Sequence, residues 1–483
     1  MFSKLYKILF PNEAPERQKV LLASFFVLVL LIAVVAIFAP WKISLSLLAV
    51  ALILLLFFRY INFGFYLAVL VYPFMFLKVF IGRDIDIPFV DLISMFVFVA
   101  WVLRSLLLPP YGGLHFLKQW GKDTKISLEN FPGFLFFISF LVVCLLSLIN
   151  TENFFLSIKH IFRPIAFFYL MFVVLPYNII TSKKILFRVF WILFSVGIFV
   201  SLMGLWSVLF STAEGLVRRA VPVSIFGTSI LGTNHNLIAE VLITIIPICF
   251  ILIWETKGIW QKKLLIIGLL LMIATNILTL SRTGWIAMVL ELIILVLMKY
   301  KKNIKNYLKF SLMLAIIFLP IFIYGYAFLT SEVVQESTTN RWVLLEKALD
   351  IFYKHPIVGS GAGTFVEQVS QDKFYILEYG RPTEAHGLVQ KLLAETGFLG
   401  FLTFFSLLGY ILLRLIKIYR KTPEDTSFKN IILIVIIYSL GGITFQFFQT
   451  SHFFSSFWLP LGIGLSAARL AEEEFSKNKF FKF

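Results

Sequence analysis

The chain has 483 residues, of which 60% are hydrophobic and only 14% charged, and its mean hydropathy is +0.92. Water-soluble domains carry about a quarter charged residues, so this composition excludes a soluble globular protein and points to a polytopic membrane protein. Lys plus Arg (43) exceed Asp plus Glu (26), giving +17, an excess to be judged first as membrane topology and only then as affinity for nucleic acid. Cys144 and Cys249 both sit inside apolar runs, which implies neither a disulfide framework nor a zinc site. The polar stretch Met1 to Lys19 precedes a full-length span with no small-residue cleavage site after it, so no cleaved signal peptide is expected.

Apolar runs matched to the ~30 Å hydrocarbon layer fall at 20–38, 41–58, 62–80, 89–108, 132–150, 163–180, 186–209, 234–254, 264–280, 283–298, 310–329, 388–413, 430–449 and 452–470. Some of these are candidates for half-spans, notably 41–58 and the pair meeting at Ser281 and Arg282. The fold class expected is therefore an all-α polytopic membrane protein with about 12–14 transmembrane helices. An even count puts both termini on one side. Most of the 43 cations collect in alternate loops, including Lys4 to Lys19, Lys118 to Lys125, Lys299 to Lys309, and Arg414 to Lys429. That side, with both termini, is expected to be cytoplasmic. The charge excess is then topology, and no nucleic-acid partner is expected.

The cations left on the external side are the informative ones. Lys159, Arg163, Arg218, Arg219, Arg282, Arg341 and Arg381 cluster near the membrane, as a substrate with several negative charges would require. The segment Gly232-Thr233-Asn234-His235-Asn236-Leu237-Ile238-Ala239 opens a span with two Asn and a His. Further on, Ser281-Arg282-Thr283-Gly284-Trp285 interrupts an apolar run, and an Arg at a membrane-embedded hairpin is a functional candidate by default.

One external segment, Thr330 to Leu388, is far longer than the other connections, and long loops in compact folds are usually functional. Trp342, Leu345, Leu349 and Phe352 fall at helical spacing, with Thr338, Thr339 or Asn340 as the expected N-cap and Arg341 in the first turn. Such an amphipathic helix can lie at a membrane surface. The run His355-Pro356-Ile357-Val358-Gly359-Ser360-Gly361-Ala362-Gly363-Thr364-Phe365 reads as a tight turn, with phosphate cradling by backbone N–H groups as the alternative. His386 stands at the mouth of the next span, where a neutral imidazole can accept a proton. Glu395, about two and a half turns further on, is a carboxylate in an apolar stretch that has to be paired or functional.

Taken in order, S-R-T-G-W, R-W-V-L-L, H-P-I-V-G-S-G-A-G-T-F, and a His followed by G-F-L-G resemble the O-antigen ligase and polymerase superfamily of bacterial envelope glycosyltransferases. The resemblance covers about 215–410, with G-T-N-H-N-L-I-A similar to an N-P-N-x-x-A element in which His235 replaces Pro. The pattern of Arg341, Leu345, His386, Gly397 and Gly400 is closer to the ligase, although Gly387 follows the His where the ligase has Asn, Ser or Gln.

The resemblance implies a single integral membrane domain, 1–483, in the bacterial inner membrane. Its large periplasmic loop, 330–388, would carry amphipathic helices. It also implies an inverting, metal-independent transfer of a glycan from undecaprenyl pyrophosphate to a sugar hydroxyl of lipid A-core at the periplasmic face, with no cofactor. The partners would be donor, acceptor and membrane lipids. His386 would be the general base and Arg282 and Arg341 the pyrophosphate clamps, with Arg218, Arg219, Glu395 and Asn236 as further substrate contacts. A surface-polysaccharide polymerase using the same donor is the alternative, and a lipid-linked glycan transporter the alternative of another class. A transporter would show an internal repeat and broken helices near mid-membrane; no convincing repeat is present in the sequence.

Overall fold

A computed structural model of the chain describes residues 41–81, 85–107, 127–210, 218–225, 227–299, 323, 332–449 and 453–476. These residues are mostly helical. In chain order the elements are α1 (Trp41–Arg59), α2 (Ile61–Val71), β1 (Lys78–Ile81), β2 (Ile85–Pro88), α3 (Phe89–Leu107), α4 (Phe134–Leu146) and α5 (Phe154–Ile179). They continue with α6 (Lys183–Phe210), α7 (His235–Glu255), α8 (Ile259–Leu278), α9 (Arg282–Lys299), α10 (Glu332–Lys354), α11 (Phe365–Ser370) and α12 (Lys373–Tyr379). Last come α13 (Leu388–Lys421), α14 (Ser427–Gln446) and α15 (Ser455–Ser476).

Six of these helices, α5 to α8, α13 and α14, are long and apolar enough to cross a membrane, and α1 with α2 forms a further pair bent by 108°. The expected spans at 20–38 and, apart from residue 323, at 310–329 lie outside the described residues. One expectation needs correcting. The span expected at 62–80 ends at Val71, and Lys78–Ile81 is instead the first strand of an antiparallel hairpin in which Val79 faces Ile87. Pro73 provides a reason, since it has no N–H with which to continue the helical hydrogen-bond ladder and its ring crowds the preceding turn.

The core of the bundle is α7, which packs against α6, α8 and α14. Its start is capped by Asn234, whose side chain accepts the N–H of Asn236 at 2.9 Å, satisfying one of the donors that every helix N-terminus leaves open. In α5 the proline at 164 removes one backbone donor, and the helix widens into π turns over Ile161–Phe167 and Leu170–Val174, a geometry that absorbs such an interruption.

Helix direction alternates, so that charged side chains sort to two ends. At one end Lys183 pairs with Glu255 at 3.4 Å, Arg414 with Glu472 at 2.7 Å, and Lys299 reaches Asn430. At the other end α6 and α8 finish and α7, α9 and α13 begin, and there the long segment after residue 332 sits. That segment is a small helical subdomain with its own core, in which Leu344, Ala348 and Ile351 of α10 pack with Phe365, Val369, Tyr375, Ala385 and Ala394.

Candidate active site

The subdomain is built around α10, which begins at Glu332, earlier than its sequence suggests. Thr338, Thr339 and Asn340 therefore lie inside the helix and do not cap it, and Arg341 is in the third turn. The buried stripe is Leu344, Ala348 and Ile351, while Trp342 is 63% exposed. Helical spacing alone admits either stripe, and only packing on α13 selects between them. Thr338 and Arg341 are three residues apart, so they share a face. The Arg282 Nη1 donates to Thr338 Oγ1 at 3.3 Å, which draws the start of α9 against that face.

Arg282 is itself aimed by the tight turn before it. Leu280 takes a left-handed conformation (φ 56), which is rare for a residue with a branched side chain. Ser281 Oγ donates to Asn236 Oδ1 at 2.7 Å and accepts the N–H of Gly284 at 3.2 Å. Asn236 thus ties the start of α7 to the turn that presents Arg282.

Four more groups converge there. Arg341 is near enough to Arg282 for the two cations to repel, and it acts electrostatically on both His235 and His386. Arg219 acts on His235 in the same way. Arg218 turns elsewhere and donates to the carbonyls of Val208 and Leu209 at the end of α6. Among the described residues the Nε of Arg341 is buried without a hydrogen-bond partner, a costly state for a cationic donor and one that an anionic ligand would relieve. Burial and the charge of Arg282 hold the Arg341 pKa below its usual range. Burial, and next the charge of Arg341, push the His386 pKa down to about 4. The imidazole is therefore neutral at pH 7, the form that accepts a proton.

Glu395 and the glycine-rich turn form one unit. Glu395 is 3% exposed; its Oε2 accepts the N–H of Gly363 at 2.8 Å and its Oε1 that of Phe365 at 3.1 Å. Within the turn, the N–H of Ser360 donates to Ala394 O, that of Gly361 to Glu395 O, and that of Ala362 to Ser147 Oγ. These donors are spent on protein acceptors, which answers the question of phosphate cradling: the run is a turn docked on α13.

Docking requires α13 to break. At Gly397 (φ 65, ψ −168) the helix opens, and Phe398 and Leu399 donate N–H groups to the carbonyls of Pro356 and Ile357. A side chain at Gly397 would run into the Ile357 carbonyl, and one at Gly359 into the Glu395 backbone.

Two parts of this arrangement escaped sequence reasoning. Lys391, 1% exposed, bridges Glu384 at 2.6 Å and Glu395 at 3.5 Å and lies over the Phe453 ring. It ties the segment carrying His386 to the turn. Its signal was legible, a Lys four residues before a Glu on one helix. The second is the segment at the start of α5, which clamps the subdomain: Asn150 Nδ2 donates to Gly359 O at 2.9 Å and Asn153 Nδ2 to Glu367 Oε1 at 3.0 Å. No motif marks those residues. Of the remaining external cations, Arg163 pairs with Asp91 at 2.7 Å and Arg381 is exposed on its loop.

Residues 267–405 match the family model described as O-antigen ligase. The matched region contains Arg282, Arg341, His386 and Glu395, while Arg218, Arg219 and Asn236 precede it. Comparison with curated proteins gives no match.

Gly397→Ala is expected to destabilise the protein by about 1–3 kcal/mol, because its backbone conformation is essentially reserved for glycine. An unchanged thermal midpoint in detergent would show that the kink is dispensable. Lys391→Met leaves Glu395 buried without its cation, a change that typically costs about 3–5 kcal/mol. The check is the yield of monodisperse protein and its melting temperature, with Lys391→Arg expected to recover part of the loss.

Proposed function

We propose that this chain, which carries the O-antigen ligase family region, is an inverting glycosyltransferase of the periplasmic face of the inner membrane. It transfers a glycan from undecaprenyl pyrophosphate to a sugar hydroxyl of lipid A-core. The observation that carries this reading is the convergence of Arg282, Arg341 and His386, with Arg219 and His235 beside them, at one end of a membrane bundle.

The chemistry follows from those groups. The acceptor hydroxyl oxygen attacks the anomeric carbon, forming the new glycosidic bond as the bond to the pyrophosphate oxygen breaks, with inversion at that carbon. His386, neutral and sheltered, takes the hydroxyl proton as the nucleophile develops. The leaving pyrophosphate gains negative charge, and two guanidinium groups held in place before reaction stabilise it without further reorganisation. Arginine suits this role because it stays cationic even when burial lowers its pKa, and its planar fork matches phosphate oxygens. The repulsion between Arg282 and Arg341 is relieved by the anion they bind.

Metal independence belongs to the same proposal. It is supported by the cationic clamp and by the residue types around it: among the described residues no group of three or more His, Cys, Asp or Glu side chains gathers. A polymerase would use the same clamp and base on a lipid-linked acceptor, and product size separates the two.

The test is a reconstituted transfer assay with undecaprenyl-pyrophosphate glycan, with and without lipid A-core, in EDTA. Wild type is expected to place glycan on the core, and Arg341→Ala and His386→Ala to lose about 100- to 1000-fold in rate. Near-full transfer by His386→Ala would remove it as the base. Longer lipid-linked chains without core transfer would move the protein to the polymerase branch.

The depressed pKa of His386 gives a second expectation. The base stays unprotonated as pH falls from 7 toward about 4, and kcat/KM reports groups of the free enzyme. Its acid limb should therefore lie well below the ordinary histidine range, about 6.5. A midpoint at or above that range would contradict the sheltered imidazole.

A further inference from the structure

The helix bundle holds a second buried carboxylate, on a different set of helices from Glu395. Glu240 lies on α7, five residues past His235, and is 3% exposed. A charged residue inside a membrane bundle is a functional candidate by default. Beside it is a cavity of about 10 Å³, the room that one water-sized atom needs. Six polar side chains from three helices line that cavity: Glu240 and Thr244 of α7, Tyr438, Ser439 and Gln446 of α14, and Ser456 of α15. None of them is more than 7% exposed.

Most of the hydroxyl hydrogens in this set are already committed. Thr244 Oγ1 donates to the Val241 carbonyl at 2.8 Å, Tyr438 Oη to that of Pro460 at 2.9 Å, and Ser456 Oγ to Glu240 Oε1 at 2.8 Å. Gln446 Nε2 also reaches Glu240 Oε1, at 3.4 Å. What the three hydroxyl oxygens keep for the cavity is lone pairs. Ser439 Oγ has no hydrogen-bond partner among the described residues. Pro460, inside α15, has no N–H to give the Ser456 carbonyl four residues before it, which adds another acceptor beside the cavity.

A set rich in lone pairs suits a cation better than a water. The two hydrogens of a water would meet two of these oxygens, whereas a cation engages every lone pair around it and offsets the carboxylate charge, which is costly to bury alone. The ligand atoms on offer are oxygens, as hard cations require. One carboxylate balances one positive charge. Among the described residues no group of three or more His, Cys, Asp or Glu side chains gathers, as a divalent or transition metal would use.

The cavity also lies where three helix ends support the candidate active site. Glu240 is about one turn beyond Asn236, which holds Ser281, and Gln446 ends α14 just before Phe447, whose carbonyl lies against Gly387.

We propose that this cavity binds a single alkali cation, Na⁺ or K⁺, held by Glu240, Thr244, Tyr438, Ser439 and Ser456. The cation joins α7, α14 and α15 near the end of the bundle that carries His386. It takes no part in the proposed transfer reaction, and the site stands whether or not that reading holds.

The experiment uses the full chain in mild detergent. Thermal unfolding is followed at constant chloride and ionic strength while choline is replaced by sodium or by potassium. Wild type is expected to show a saturable rise in melting temperature with at least one of the two, because a ligand bound by the folded protein alone stabilises it. Glu240→Gln should abolish that rise. Ser439→Ala removes a hydroxyl that has no hydrogen-bond partner, so it is expected to fold with an unchanged melting temperature in choline. Its half-saturating cation concentration should rise at least about fivefold. The same melting temperature in choline, sodium and potassium would overturn the proposal and leave the cavity to a water. An equal cation response in wild type and Ser439→Ala would overturn it as well, by placing the ion elsewhere on the protein.

Discussion

A single buried carboxylate holds the candidate site together. Glu395 takes the backbone N–H groups of Gly363 and Phe365 and stands beside Lys391, which in turn reaches Glu384, two residues before His386. A charge buried at this depth is tolerated only when it is paired and hydrogen-bonded, and here the partners come from two separate stretches of chain. Satisfying Glu395 therefore docks the glycine-rich turn on α13 and secures the segment that carries His386 in the same step.

The break at Gly397 is the other half of that arrangement. An uninterrupted helix would offer no free N–H groups to Pro356 and Ile357, and the turn would have nothing to dock on. The small core around Leu344, Phe365, Tyr375 and Ala385 then places α10 so that Thr338 and Arg341 face the start of α9. Arg282 arrives at the same place from the membrane bundle, set by the strained turn at Leu280 and the Asn236–Ser281 hydrogen bond. Two cations this near one another repel, and a neighbouring negative charge favours the charged form of both.

The two ends of the bundle carry different chemistry. At the far end Lys183, Arg414 and Arg469 pair with Glu255, Glu472 and Glu473. Those at the near end include an Arg341 Nε with no hydrogen-bond partner among the described residues. A buried polar group without a partner carries a desolvation cost, whereas a matched pair contributes chiefly to holding helices together.

Much of this was legible in the residues themselves. Hydropathy alone delivers a membrane bundle, because apolar runs of this length have no other stable environment, and the misplaced Arg282 and the long segment after residue 330 announce the region of interest. Arg341 and His386 stand out by type and by motif. What sequence periodicity leaves undecided is which stripe of α10 is buried, since Trp342 and Leu344 both belong to plausible helical faces and only packing on α13 chooses. It also leaves open whether the glycine-rich run binds phosphate or protein, because that depends on where its N–H groups point. The clamp at Asn150 and Asn153 carries no local signature at all. These features were decided by contacts between segments roughly two hundred residues apart in the chain, and the pairing of distant surfaces is a property of the folded whole that no local pattern encodes.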